Sequence, residues 1–92
     1  MSEKVYPTIS VIIPTLNAEA YLADLVGALR RQRLVPGEIL IVDSDSSDGT
    51  REIVNELGLP LLKIERGDFD HVGTRSLAAE RTSGEFVLFL TQ

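Results

Sequence analysis

The sequence predicts an α/β fold built on an open parallel sheet. Short runs of β-branched and apolar residues alternate with segments in which apolar residues recur every three or four positions. Pro and Gly residues stand between these runs and mark the turns. The four predicted strands are residues 9–13, 38–43, 59–64 and 86–90. Each connection is long enough for a helix, and such crossovers are right-handed, so the order βαβαβαβ places helices on both faces of the sheet.

The first two helices are predicted from their apolar spacing and their capping residues. Apolar residues at positions 18, 22, 25, 26 and 29 form one helical face, and Asn17 is placed to cap its N-terminus. A second, shorter face spans residues 53–57 and ends at Gly58, a candidate C′ residue.

The third helix and the fourth strand complete the predicted sheet. Residues 73–83 have a helical pattern in which Leu77 and Ala78 are expected to be buried. The run FVLFL at residues 86–90 is apolar throughout, which is typical of a strand covered on both faces. The ligand crevice of an open parallel sheet lies at the carboxyl ends of its strands, so that edge is where site residues are expected.

Composition excludes several classes of function. The 92-residue chain has 14 acidic and 9 basic residues, which argues against a nucleic-acid-binding surface or a polybasic membrane patch. It has no Cys, which excludes disulfides and thiolate chemistry, and its single His, His71, excludes a two-His metal site. The longest apolar run has five residues, and the N-terminus lacks the apolar core of a signal peptide. The expected location is therefore the cytoplasm, with no membrane segment in this chain.

The loops after the first two strands lack common nucleotide and calcium motifs. Residues 14–20 (PTLNAEA) contain no Gly, which excludes both the G-x-G-x-x-G loop and the Walker loop. Residues 43–49 (DSDSSDG) place their acids out of register with an EF-hand, and the fifth residue after Gly49 is Val54 instead of Glu.

Three motifs in order resemble those of family 2 glycosyltransferases. They are SVIIPTLN at residues 10–17, IVDSDSSDGT at 41–50 and GTRSLA at 73–78. The Asp-Ser form of the second motif, together with FDHVGTR at residues 69–75, is most similar to the rhamnosyltransferase-like members. The resemblance implies an inverting enzyme with the Rossmann-like GT-A fold. Residues 1–92 would then be the N-terminal nucleotide-sugar-binding part, an incomplete domain of a longer protein.

The resemblance also implies roles for residues at the ends of the first two strands. Pro14, Thr15 and Asn17 would border the nucleotide base. Asp43 would accept a hydrogen bond from the N3–H of uracil or thymine, for which the acceptor oxygens of a carboxylate are suited. Asp48 is expected to be a helix N-cap instead of a ligand contact.

The third motif supplies the expected phosphate contact. Arg75 matches the family's Arg that reaches the base or the diphosphate, and a guanidinium forks its donors toward phosphate oxygens. Ser76 stands where the family usually has Asn, so the local sequence of this motif departs from the family's pattern. His71 is open to two interpretations, a diphosphate contact or an ordinary loop residue.

The catalytic parts of the family are expected to follow residue 92. The segment LFLTQ at residues 88–92 resembles the run that leads into the family's metal motif. The resemblance implies Mg²⁺ or Mn²⁺ for the longer parent, and no catalytic or metal-binding residue in this chain. We therefore expect the piece to bind a UDP- or dTDP-sugar but to lack transferase activity. Its parent would serve cell-wall or polysaccharide biosynthesis, with membrane association of the parent left open.

Two other functions compete with this interpretation. A nucleotidyltransferase also uses such a sheet but needs a Gly-rich, basic loop after the first strand, which residues 16–19 do not supply. A nucleotide-independent interaction module is the non-enzymatic alternative, in which an uncovered sheet edge pairs with a second copy of the chain.

Overall fold

The sheet and its helices follow the predicted order. The computed structural model describes residues 8–32, 36–66 and 72–90. Its elements are β1 (Ile9–Thr15), α1 (Leu22–Arg30), β2 (Glu38–Ser44), α2 (Thr50–Glu56), β3 (Leu61–Ile64), α3 (Val72–Glu80) and β4 (Phe86–Phe89). The strands lie in the order β3-β2-β1-β4, and every neighbouring pair is parallel. The prediction of an α/β fold with a parallel sheet is therefore confirmed.

Two apolar clusters cover opposite faces of the sheet, because successive strand residues point to alternate sides. On one face, Val11, Ile13 and Ile41 pack with residues of α1 and α2. On the other face, Ile12 and Leu40 pack with residues that include Ala78 of α3. Helices on both faces leave the carboxyl edge, where the strands end, as the place at which loops from different strands meet.

Pro14 lies inside β1 instead of ending it. The prediction stopped this strand at Ile13, but the ladder with β2 continues through Pro14 opposite Val42 to Thr15 opposite Asp43. On the other side of β1, the pairing with β4 ends at Ile12. Because alternate residues of a parallel strand bond to opposite neighbours, the nitrogen of Pro14 faces the β4 side, where no ladder bond is required of it.

The C-terminus of α2 explains why β3 begins later than predicted. Gly58 has φ +70, and its N–H donates to the carbonyl of Asn55 while that of Leu59 donates to Val54. This pair of bonds is a Schellman motif, and it confirms Gly58 as the C′ residue. Leu59, predicted as the first strand residue, belongs to this cap, and β3 starts at Leu61.

Two burial predictions on the β4 side of the sheet are wrong. Phe86 and Leu88 are 59% and 50% exposed, although the run was expected to be covered on both faces. Leu77 of α3 is also exposed, whereas Ala78 is buried as predicted. An apolar run indicates a strand, but it does not report whether a second layer of structure covers that strand.

The amino edge of the sheet is held by hydrogen bonds around Ser10. The hydroxyl of Ser10 donates to Glu38 Oε1 at 2.9 Å and accepts the N–H of Gly84 at 3.0 Å. The N–H of Ser83 donates to the same Glu38 oxygen at 2.9 Å. A cavity of about 160 Å³ lies among these residues, on the sheet edge opposite the carboxyl ends. Its polar groups bond to one another, so the network fastens the α3–β4 connection to β1 and β2.

Gly84 provides a test of this close packing. A Cβ at position 84 would lie 2.5 Å from Ser10 Oγ and 2.8 Å from Ser10 N, so the connection must move away. We expect Gly84→Ala to lower the free energy of unfolding by about 1–3 kcal/mol, measured by urea denaturation. Gly37→Ala is the matched control, because its Cβ would come no closer than 3.9 Å to Ile9 O. Equal effects of the two substitutions would contradict this packing argument.

Candidate functional site at the carboxyl edge of the sheet

A buried carboxylate lies where β1 and β2 end. Asp43 is fully buried, and its Oδ1 accepts the hydroxyl of Thr15 at 2.7 Å and that of Ser46 at 2.5 Å. Its Oδ2 accepts the N–H of Ser46 at 3.0 Å and lies 3.8 Å from Arg51 Nε. Removing one donor from such a buried charge costs about 1.5–3 kcal/mol. Asp43 therefore fixes both the end of β1 and the first turn of the β2–α2 loop.

A second set of bonds joins the β1–α1 loop to the β2–α2 loop. The N–H of Asn17 donates to Ser46 Oγ at 2.9 Å, and the N–H of Ser47 donates to Asn17 Oδ1 at 2.8 Å. Asn17 has φ 54, a left-handed conformation that Asn tolerates better than most residues. The two loops therefore form one cross-linked unit.

The backbone donors of the β1–α1 loop are used within this unit. The N–H of Ala18 donates to Thr50 Oγ1 at 2.8 Å, and the N–H of Glu19 donates to Asp48 Oδ2 at 3.2 Å. Together with the bonded N–H of Asn17, three successive donors have protein acceptors. A dinucleotide fold uses such N–H groups to hold a pyrophosphate, so this loop is not a phosphate cradle of that kind.

These bonds also correct two capping predictions. Helix α1 begins at Leu22 with Tyr21 as its N-cap, and Asn17 lies outside it, bonded to the neighbouring loop. Helix α2 begins at Thr50 with Gly49 in the N-cap position, while Asp48 Oδ1 accepts the N–H of Thr50 from one residue further out. Both side chains were expected to cap helices. Asn17 instead bonds to the neighbouring loop, whereas Asp48 accepts the first N–H of α2 and also bonds across to the N–H of Glu19.

Asp48 gives this side of the edge a negative charge. The hydroxyl of Thr50 donates to it, as do the N–H groups of Thr50 and Glu19, and these bonds lower the pKa of Asp48 below its ordinary value of 3.8. The pKa of Tyr21 is raised, first by burial and second by the charge of Asp48. The loop unit is thus rich in acceptors and unfavourable to phosphate.

Two arginines fasten the outer side of the β2–α2 loop. Arg51 Nη2 donates to the carbonyl of Ser46 at 3.2 Å, and Arg66 Nη2 donates to that of Asp45 at 3.1 Å. Asp45 has φ 58 and an exposed side chain. The loop is therefore held from α2 and from the end of β3 as well as from β1.

Arg75 lies at the same edge, on the far side of β1. It is exposed in the first turn of α3, and its guanidinium carbon lies 5.9 Å from the centroid of the Phe89 ring at the end of β4. Because β2 and β4 flank β1, the ends of those two strands lie two strand spacings apart, about 10 Å. A ligand that contacts both the Asp43 loop and Arg75 must cross the end of β1, where Pro14 lies.

The structure thus brings five of the six predicted site residues to one edge: Pro14, Thr15, Asn17, Asp43 and Arg75. His71 lies outside the described residues. The sequence analysis assigned no role to Ser46 or Thr50, although both are buried and join the two loops. Their signal in the sequence is position alone, since hydroxyl residues between a strand and a helix also occur in ordinary turns.

The parts of the chain that the structure describes offer no metal site. Among residues 8–32, 36–66 and 72–90 there is no group of three or more His, Cys, Asp or Glu side chains that could hold an ion. Asp43 and Asp48, the acids nearest the strand ends, are engaged by hydroxyl and N–H donors.

Comparison with known protein families identifies the chain. Residues 10–92 match the glycosyl transferase family 2. The chain belongs to that family. The match spans all three motifs on which the resemblance was based, so the family assignment made from the sequence is confirmed.

Curated relatives of this family 2 chain build bacterial surface polymers, according to their names. The O-antigen chain rhamnosyltransferase RfbN of Salmonella typhimurium is 35% identical over 86 residues, covering 91% of this chain and 27% of the relative. The poly(ribitol-phosphate) beta-N-acetylglucosaminyltransferase TarS of Staphylococcus aureus is 36% identical over 87 residues, covering 88% of this chain and 15% of TarS. The chain thus spans less than a third of these relatives.

Solved structures agree with the family assignment. S. aureus TarS 1–349 in complex with UDP-GlcNAc superposes with a TM-score of 0.74 at 33% identity, covering 90% of this chain and 26% of that one. Glucosyl-3-phosphoglycerate synthase from Mycobacterium tuberculosis, in complex with Mn²⁺, UDP and glucosyl-3-phosphoglycerate, superposes with a TM-score of 0.66 at 30% identity, covering 91% and 33%. The GT-A fold expected from the resemblance is therefore confirmed. No helix within the described ranges has the length and apolar character needed to cross a membrane.

Asn17 provides a test of the cross-linked loops. Asn17→Gly removes the acceptor for Ser47 N–H but keeps the left-handed backbone accessible, whereas Asn17→Ala removes the acceptor and adds the left-handed strain. We expect Asn17→Ala to lower the free energy of unfolding by about 1 kcal/mol more than Asn17→Gly, measured by urea denaturation. Indistinguishable variants would show that this loop relaxes to another conformation.

Proposed function

We propose that this chain is the nucleotide-sugar-binding part of an inverting glycosyltransferase. The observation that carries the proposal is the polarity of the carboxyl edge. An acceptor-rich unit, ordered by Asp43, lies on one side of β1, and the guanidinium of Arg75 lies on the other. A nucleoside diphosphate has the matching polarity, with a hydrogen-bonding base at one end and two phosphates at the other. Family membership and the UDP-bound TarS structure support the same ligand class.

In this proposal the base lies against the two joined loops, and the rest of the nucleotide extends across the end of β1 toward Arg75. Pro14 and Asn17 border it, since Pro14 is half-buried and Asn17 is exposed. Asp43 and Thr15 act from beneath, because both are buried and bonded to each other. A direct bond from Asp43 to a base N3–H would require Thr15 or Ser46 to release an oxygen.

The diphosphate lies at the Arg75 end. A guanidinium remains charged at neutral pH and donates two parallel hydrogen bonds to phosphate oxygens. A cation–π contact with the Phe89 ring favours its position at the end of β4. The other side of the edge carries the charge of Asp48, which repels phosphate and so sets the direction of the ligand.

The remaining parts of the reaction belong to the longer parent protein. An acceptor hydroxyl attacks the anomeric carbon, and the nucleoside diphosphate leaves with inversion of configuration. A divalent cation, as in the Mn²⁺ complexes of the mycobacterial synthase, would stabilise that leaving group through ligands outside the residues described here. Rhamnose is the sugar suggested by the name of RfbN, and UDP is the carrier suggested by the TarS complex. We propose that the 92-residue piece is cytoplasmic, binds the carrier without metal and transfers no sugar.

Titration of the chain with UDP tests the proposal. We expect saturable binding by isothermal calorimetry, with shifts of the backbone amide signals of residues 15–18 and 43–47 in NMR spectra. Arg75→Ala should weaken binding about tenfold, the loss expected when a charge-assisted contact to phosphate is removed. Arg81→Ala is the matched control, because Arg81 is exposed just beyond the C-terminus of the same helix, whereas Arg75 lies in its first turn.

The outcomes separate ligand binding from general charge. Equal losses in both Arg variants would indicate that UDP responds only to the net charge of the chain. No binding by the unchanged chain, to UDP or dTDP, would overturn the proposed function.

A second proposal rests on the exposed fourth strand. β4 pairs with β1 on one side, and its residues Phe86 and Leu88 are 59% and 50% exposed. Among the described strands β4 lies at the edge of the sheet, and an edge strand with exposed apolar side chains is suited to pair with another β4. The partner would be a second copy of this chain.

Light scattering tests this association. We expect a concentration-dependent dimer, and Leu88→Lys should shift it to monomer, because a charge on an edge strand opposes strand pairing. Leu16→Lys is the control, because it places the same charge on an exposed apolar residue that follows β1 at the carboxyl edge. A monomer at every concentration would contradict this association. The apolar strand would then be one that another part of a longer protein covers.

A further inference from the structure

Ser46 occupies the centre of the cross-linked loops. Its hydroxyl donates to Asp43 Oδ1 at 2.5 Å and accepts the N–H of Asn17 at 2.9 Å. One oxygen thus connects the residue that ends β2 with the residue that follows β1. Ser46 is 1% exposed, so it cannot touch a ligand in this conformation.

The backbone of Ser46 is held as firmly as its side chain. Its N–H donates to Asp43 Oδ2 at 3.0 Å, and its carbonyl accepts Arg51 Nη2 at 3.2 Å. Every polar atom of the residue therefore has a protein partner. A hydroxyl fixed in this way acts as a spacer of defined length between Asp43 and the backbone of Asn17.

We infer that Ser46 is the positioning residue that sets the shape of the nucleotide site, an inference that rests on the proposed function. Without the hydroxyl, Asp43 loses one donor and the N–H of Asn17 loses its acceptor. The segment from Pro14 to Asn17 then keeps its bonds through Thr15 and Asn17 Oδ1, but it loses the bond that fixes the backbone of Asn17 against the β2–α2 loop. That segment borders the base, so the loss falls on nucleotide affinity.

Ser46→Ala and Ser46→Thr separate the hydroxyl from the volume of the side chain. We expect Ser46→Ala to raise the dissociation constant for UDP about tenfold, and Ser46→Thr, which keeps the hydroxyl, to bind within about threefold of the unchanged chain. A role that depended on volume alone predicts the opposite order, since Thr is the larger change in a buried site. Hydrogen exchange at the Asn17 amide should accelerate in Ser46→Ala and stay slow in Ser46→Thr.

Two controls separate positioning from loss of stability. Val26→Ala destabilises the core, because Val26 is fully buried on α1, but it leaves the hydrogen bonds of the loops in place. We expect it to bind UDP as the unchanged chain does. Ser83→Ala makes the same chemical change in an exposed serine at the opposite edge of the sheet and should bind normally.

Specific results would overturn the inference. They are a Ser46→Ala variant that binds UDP within about twofold of the unchanged chain, a Ser46→Thr variant as weak as Ser46→Ala, or an equal loss in Val26→Ala. If the unchanged chain binds no UDP, the proposed function fails, and hydrogen exchange at Asn17 still reports whether Ser46 holds the two loops together.

Discussion

The carboxyl edge of this protein depends on the burial of one charged side chain. Asp43 is fully enclosed, and a buried carboxylate is tolerated only when donors surround it. The parallel register supplies the first donor, because it sets Thr15 directly opposite Asp43. The β2–α2 loop supplies the others by turning back so that the N–H and hydroxyl of Ser46 reach the same carboxylate. The end of the sheet and the fold of the loop are thus one arrangement.

This arrangement decides where a ligand can interact with the edge. The N–H groups of the β1–α1 loop are consumed by Ser46, Thr50 and Asp48, so they cannot bind phosphate as the first loop of a dinucleotide fold does. Positive charge suited to phosphate lies instead at Arg75, beyond the end of β1. In the proposed function the same sheet topology would therefore bind a nucleotide in a different way, because the donors of one loop have been used to join it to its neighbour.

The sequence predicted the parts of the fold that depend on local pattern. The apolar periodicity gave the strands and their faces, and Gly58 marked a helix end because few other residues adopt φ +70 without strain. The errors arise where a residue's partner is distant in sequence. Asn17 is of a residue type that often caps helices, but its partners Ser46 and Ser47 lie about 30 residues away in the sequence. The exposure of Phe86 depends on which structure covers the strand, and no local pattern contains that information. The edge that holds the site was predicted from topology, whereas the role of Ser46 required the register and the loop together.

The hydrogen bonds of Asp43 limit how such a site can distinguish bases. A carboxylate has about four acceptor positions, and Thr15, the two donors of Ser46 and the nearby Arg51 approach that number. A base N3–H would have to displace one of these partners, leaving a buried hydroxyl or N–H without an acceptor at a cost of about 1–3 kcal/mol. That cost offsets most of what one new hydrogen bond contributes. In the proposed site, selectivity for a base would therefore depend on the rigid shape of the joined loops more than on the carboxylate itself. Pro14 and Asn17 are then the residues whose positions determine which base fits.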